Sequence, residues 1–194
     1  MEFYGRPRAL AKAVQRHFEF ALVLTFCIVP LQSATLERLS LDDMIMKSTA
    51  IVRGTVAGFR AQAQGPLIYT HYTIQVKETL KGSGQAAVDV VVPGGVANGL
   101  RQTFPGTPQL NGGDEFIFFL WTGKSGLNQI IGLTQGLFSI SGTATPDATA
   151  TRPASREVVL DPGTGRQVKD QPLVMSVSDL RSRIATTLKG SSSH

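Results

Sequence analysis

One cysteine, one tryptophan and three histidines in 194 residues leave little material for metal or nucleophilic chemistry. The cysteine, Cys27, lies inside the one long apolar run of the chain, and that run reads as an export signal. Arg6, Arg8, Lys12 and Arg16 lead into apolar residues from Phe20 to Leu24 and from Phe26 to Leu31, and Gln32-Ser33-Ala34 supplies a polar, small-residue exit. The run is shorter than the about 20 apolar residues a membrane-spanning helix needs. Glu19 stops it at one end and Pro30 softens it at the other. Cleavage after Ala34 is expected; cleavage after Ser33, or retention as an uncleaved membrane anchor, are the alternatives. Cys27 follows bulky Phe26 in mid-run, which does not suit lipidation. The expected location is the periplasm or the extracellular space. The processed protein would have no thiol, no disulfide and no thiolate ligand.

Other absences narrow the chemistry further. With residues 1–34 set aside, the remaining histidines are His71 and His194. A zinc site wants three or four nitrogen or sulfur ligands, so neither a metal nor another cofactor is expected. His71 falls on the solvent side of its strand by parity and is expected to be exposed or loosely paired. No Gly-x-Ser-x-Gly elbow accompanies it, which excludes that form of triad catalysis. The adjacent carboxylates Asp42-Asp43 and Asp114-Glu115 sit at a helix start and at a turn before a strand, which accounts for both. Pro93-Gly94-Gly95 and Asn111-Gly112-Gly113-Asp114 lack the Gly-Lys-Ser or Gly-Lys-Thr that would reach a phosphate. No catalytic residue is therefore assigned, and the reading is non-enzymatic. Residues 35–194 hold 15 Lys and Arg against 12 Asp and Glu, scattered singly. Nucleic-acid binders cluster such charges beside aromatic platforms, so no nucleic-acid partner is expected.

What the chain does have is alternation. Ser40 and Asp43 form a capping box for a short helix, with Leu39 and Met44 as a hydrophobic staple and Leu41, Met44, Ile45 and Ser48 on one face. From Ala50 the period becomes two: Val52, Gly54 and Val56 alternate with Arg53 and Thr55. A second strand sets Ile68, Thr70, Tyr72, Ile74 and Val76 against His71, Thr73, Gln75 and Lys77, and a third carries Val88, Val90 and Val92. The fourth, Phe116 to Trp121, is apolar on both faces, so its outer side must also be covered. A fifth runs through Ile130, Ile131 and Leu133 and resumes at Leu137, Phe138 and Ile140, with bends at Gly132 and Gly136. Tyr72, Ile74, Val76, Val88, Val90, Phe116, Phe118 and Leu120 are expected to face one interior.

The expected fold is mainly β: a small closed five-stranded barrel over residues 35–140, with the short helix at its start. Residues 141–155, poor in hydrophobic bulk, read as a flexible loop. Residues 156–194 read as a hairpin, Glu157–Asp161 and Arg166–Asp170 around Pro162-Gly163-Thr164-Gly165, then a helix from Ser178 with Leu180, Ile184 and Leu188 on one stripe. The tail from Gly190 is expected to be disordered.

The segment from Gly94 to Gly113 shows neither period. Such long loops either cover a barrel end or touch partners. Its apolar members Val96, Leu100, Phe104, Pro105 and Leu110 suit a cover; Leu100, Arg101 and Phe104 also join apolar and cationic anchors and are the candidate partner contacts.

Three phrases carry a resemblance: Ala50-Ile-Val-Arg-Gly-Thr-Val56, Tyr72-Thr-Ile-Gln-Val-Lys-Glu-Thr-Leu-Lys-Gly82 and Asn111-Gly-Gly-Asp-Glu-Phe-Ile-Phe-Phe-Leu120. This block resembles the netrin-like module of tissue inhibitors of metalloproteinases. It also resembles a domain of secreted bacterial proteins, sometimes found beside metalloprotease domains and without assigned chemistry. The resemblance implies a five-stranded barrel of the oligonucleotide/oligosaccharide-binding type. Those inhibitors chelate zinc through a mature N-terminal cysteine and brace their loops with disulfides. This chain has its one cysteine in the leader, so no functional residue carries over. The expected function is an exported, non-enzymatic binding domain for a protein, peptide or glycan, touching membrane only through an uncleaved N-terminal segment. A secreted protease inhibitor acting by occlusion is the alternative, and a hydrolase using carboxylates the third reading.

Overall fold

A computed structural model describes residues 34–142 and 148–191. Residues 1–33, on which the export expectation and Cys27 fall, and the tail residues 192–194 lie outside the described residues. The described chain is mainly β. It runs β1 (Thr35–Glu37), α1 (Leu41–Lys47), β2 (Ala50–Gln64), β3 (Leu67–Lys81), β4 (Ala87–Pro93), β5 (Gly95–Ala97), β6 (Leu100–Gln102), β7 (Glu115–Thr122), β8 (Asn128–Ile130), β9 (Leu137–Ser141), β10 (Thr149–Arg152), β11 (Val158–Leu160), β12 (Gln167–Val168), β13 (Leu173–Ser176) and α2 (Val177–Ser191). The principal sheet has the order β13-β10-β9-β7-β2-β3-β4-β8, and β8 also pairs with β7. β1-β11-β12 and the small β5-β6 hairpin form two further sheets.

Both faces of β7 are buried, as its sequence requires. Phe118 and Leu120 face one cluster with Val52, Val56, Tyr72, Ile74, Val90 and Leu137, and Val76, Val88 and Phe116 pack against its margin. All eight residues expected to share an interior do so. Ile117 and Phe119 face the other way, into a cluster with Ile51, Phe138 and the apolar sides of both helices: Met44 and Ile45 of α1, Leu180 and Ile184 of α2. The outer cover that the strand demanded is thus helical. Full burial of one such side chain is worth about 1.5–3 kcal/mol.

The first helix starts as its residues dictate. Ser40 Oγ accepts from the Asp43 amide (3.0 Å), and the Asp43 carboxylate accepts from the Ser40 amide (3.0 Å). Lys81 Nζ donates to the Ile45 and Met46 carbonyls (2.7 and 3.0 Å), satisfying the far end of the helix with a cation. Asp42 accepts from Arg183 Nε (2.9 Å) and Thr187 (2.9 Å), joining the helices to each other, and Arg181 joins α2 to Glu78 of β3 (2.6 Å).

β2 and β3 form a long ribbon, and its twist is set by irregularities. Register shifts fall between Ile51 and Val52, between Arg53 and Gly54, and between Val56 and Gly58. Bulges of this kind bend a strand and raise its twist. The last one leaves Ala57 unpaired and returns Phe59 to the face of Val56, opposite Tyr72. Gly54 is needed for close approach: a Cβ there would stand 2.6 Å from the Gln75 carbonyl oxygen.

Several expectations need correction. The first strand does not end at Val56 but continues to Gln64, because the turn at Gly65-Pro66 folds it onto β3. The expected fifth strand is two strands, β8 and β9, separated by a turn through 131–136. Residues 141–155 are not wholly loop: β10 lies between β9 and β13, with Ala150 buried. Ala148 and Ala150 are buried in one cluster with Leu180 and Ile184 of α2. The hairpin around Pro162–Gly165 forms as expected, pairing Val159 with Val168 and Leu160 with Gln167. Gly190 and Ser191 belong to α2 rather than to the tail.

Candidate functional site

The segment 94–113, expected to lack regular structure, begins as a hairpin. Asn98 and Gly99 both take positive φ (53° and 74°), the requirement of the two-residue turn that joins β5 to β6. The hairpin is fastened to the start of β3 by four hydrogen bonds. Gln102 is the main fastener: its Oε1 accepts from the Ile68 amide (2.6 Å) and its Nε2 donates to the Pro66 carbonyl (2.8 Å). The Gly94 amide donates to the Ile68 carbonyl (2.7 Å), and Thr70 Oγ1 donates to the Gly94 carbonyl (2.8 Å). The frame of this segment is therefore tied down rather than loose.

Between the ribbon and this fastened segment lies an open cleft of about 520 Å³. The ribbon supplies Phe59, Ala61, Thr70 and Tyr72, and the segment supplies Arg101, Gln102, Phe104 and Thr107. Leu110 and Val92, both buried in the cluster below, close the floor. The rings of Phe59 and Tyr72 are 5.8 Å apart, yet Phe59 is 66% exposed while Tyr72 is buried. An aromatic side chain left that open is available for apolar contact with whatever enters. Thr107 Oγ1 is buried with no hydrogen-bond partner among the described residues, so the wall also offers an unsatisfied hydroxyl.

The cleft has a sign. None of the residues lining it is Asp or Glu, and Arg101 makes no ion pair among the described residues. Arg60 reaches the cleft from the ribbon edge, but its guanidinium stands 3.9 Å from Asp89. His71 Nδ1 bonds the same carboxylate oxygen at 2.6 Å. By strand parity this group lies on the face of β3 opposite Tyr72. His71 is thus well covered and firmly partnered, which corrects the expectation of an exposed or loosely paired ring. Farther along the ribbon, Glu115 accepts from Arg53 (2.5 Å) and Lys77 (2.6 Å). Burial pushes its carboxyl up, but these two cations outweigh it and hold the group below the usual carboxylate range.

Two of the three candidate contacts, Arg101 and Phe104, line the cleft together. Leu100 does not; it stands 67% exposed at the hairpin turn. Phe59, Gln102 and Thr107, which also line the cleft, were not legible in the sequence. Asn98-Gly99 was the available signal, since that dipeptide between apolar residues marks a hairpin. Among the described residues no three His, Cys, Asp or Glu side chains gather where they could hold a metal ion. No helix there is long and apolar enough to cross a membrane. No model of a known protein family matches the chain, and comparison with curated proteins finds no match.

Proposed function

We propose that this chain is an exported, non-enzymatic binding module whose ligand, a protein, peptide or glycan, occupies the cleft between the β2–β3 ribbon and the segment 94–111. The observation that carries this reading is the cleft itself: a fastened hairpin, an exposed aromatic and an unpaired cation converge on one concave surface. Concave sites with a few convergent polar groups are the usual place for ligands. We further read residues 35–140 as a closed five-stranded barrel of the oligonucleotide/oligosaccharide-binding type, netrin-like in its general plan. The support is the pairing order, in which β7 pairs β2, β2 pairs β3, β3 pairs β4, β4 pairs β8 and β8 pairs β7. Export rests on the sequence of residues 1–34.

The test is a pull-down from the native envelope or culture fluid, with the native chain and with the Arg101→Ala, Phe104→Ala double variant. The native chain should recover a partner that the double variant loses, with little change in thermal stability. A double variant that unfolds, while its remaining folded fraction binds normally, would reduce the segment to a cover for the core.

A further inference from the structure

The outer half of β2 is a free sheet edge. β2 pairs with β7 from Ala50 to Thr55, whereas its pairing with β3 continues to Gln64. Among the described residues no strand pairs with the other side of Gly58–Gln64, because β5 and β6 pair with each other alone. The edge is open to solvent: Phe59, Arg60, Gln62, Ala63 and Gln64 are all exposed. Free edges are normally blunted by proline, by charged side chains, by bulges or by a covering element, since each presents a row of unpaired amides and carbonyls. This one carries no proline; its protections are the bulge at Ala57 and the single charge of Arg60. It borders the cleft directly through Phe59, Arg60 and Ala61.

We infer that the ligand is an extended, acidic peptide that adds a strand to the Gly58–Gln64 edge of β2; this rests on the cleft reading above. Only a polypeptide backbone matches an alternating row of donors and acceptors, which favours peptide over glycan. Alternate side chains of an added strand would turn into the cleft, where Phe59 offers apolar contact and Arg101 a cation. A cleft wall without a carboxylate favours an acidic side chain there. Arg60 counts against a second copy of this chain as the occupant, because an edge-to-edge pair would bring that cation of both copies to one seam, with its nearest carboxylate, Asp89, 3.9 Å away.

The experiment pans a displayed library of short random peptides on the full chain. Amide exchange is then followed by NMR with the peptide most enriched. The expected result is enrichment of acidic peptides, with protection on binding of alternate amides between Gly58 and Gln64 that exchange freely beforehand. Arg101→Glu should weaken that peptide roughly tenfold or more. Binding that protects only residues 94–111 overturns strand addition and leaves the cleft reading standing. A library that yields no peptide, against a glycan that binds the cleft, overturns the inference on ligand class. Edge amides already protected in a sedimenting dimer would assign the edge to a second copy and overturn it as well.

Discussion

Phe118 and Arg152 mark the two extremes of what a single residue could disclose. Phe118 sits in an alternating apolar strand, its exposure is 0%, and its inward direction was legible from parity alone. Phe118→Ala should cost about 3–5 kcal/mol in urea denaturation; a loss below about 1 kcal/mol would mean that Phe118 does not sit in a packed core. Arg152 was illegible. Its neighbours are small and polar, yet it lies buried with both terminal nitrogens on Asp170 (2.7 and 3.2 Å) and one on the Gln171 carbonyl (2.5 Å). A buried ion pair is a property of two distant segments, and no local period announces it. Arg152→Ala leaves Asp170 buried without its cation and should cost about 3–5 kcal/mol, most of which a combined Arg152→Met, Asp170→Leu replacement should restore. Burial pushes the Asp170 carboxyl up, but the bonds from Arg152 and the Ser155 amide outweigh it and hold it below its ordinary value. A depressed carboxyl contributes stability that is complete above its unfolded value of about 4 and is lost as pH falls through the lower folded value. Asp170→Asn should therefore be less stable than the native chain at neutral pH, with the gap closing in denaturation curves recorded below about pH 4. A gap independent of pH would deny the ion pair.

At the scale of elements, what was legible is what local chemistry decides. The capping box at Ser40 and Asp43, the hairpin at Pro162–Gly165, the stripe of α2 and the alternation of β3 and β4 each lie within one stretch of sequence. The elements that were missed depend on partners. β10 is a strand because β9 and β13 flank it, not because Thr-Ala-Thr-Arg favours one. The outer half of β2 is a strand because Gly65-Pro66 turns it back on β3. Of the cleft, the segment and two of its lining side chains, Arg101 and Phe104, were legible, while its fastening was not, since Gln102 looks like any exposed amide. Gln102→Leu removes the partners of the Ile68 amide and the Pro66 carbonyl. We expect about 1 kcal/mol of destabilisation and a faster-exchanging Ile68 amide, along with weaker ligand binding. Unchanged exchange at Ile68 would show that the hairpin is held by something else.

For the whole molecule, the arrangement separates structure from contact. Helices cover one face of the principal sheet, the second cluster fills the other, and the ribbon projects beyond it to meet the 94–111 segment. Large exposed apolar side chains occur at both places that face the cleft or its rim, Phe59 on the ribbon and Val96 and Leu100 on the hairpin, as well as at Met46, Leu67, Trp121 and Val174 elsewhere. On the reading proposed above, a partner sits in the cleft and not at those other exposed positions. Site-specific photo-cross-linking in the native host distinguishes them, with a benzophenone side chain placed in turn at positions 59, 104, 121 and 174. A discrete cross-linked species is expected from positions 59 and 104 and none from 121 or 174. Cross-links from 121 or 174 alone, with 59 and 104 silent, would place the partner elsewhere.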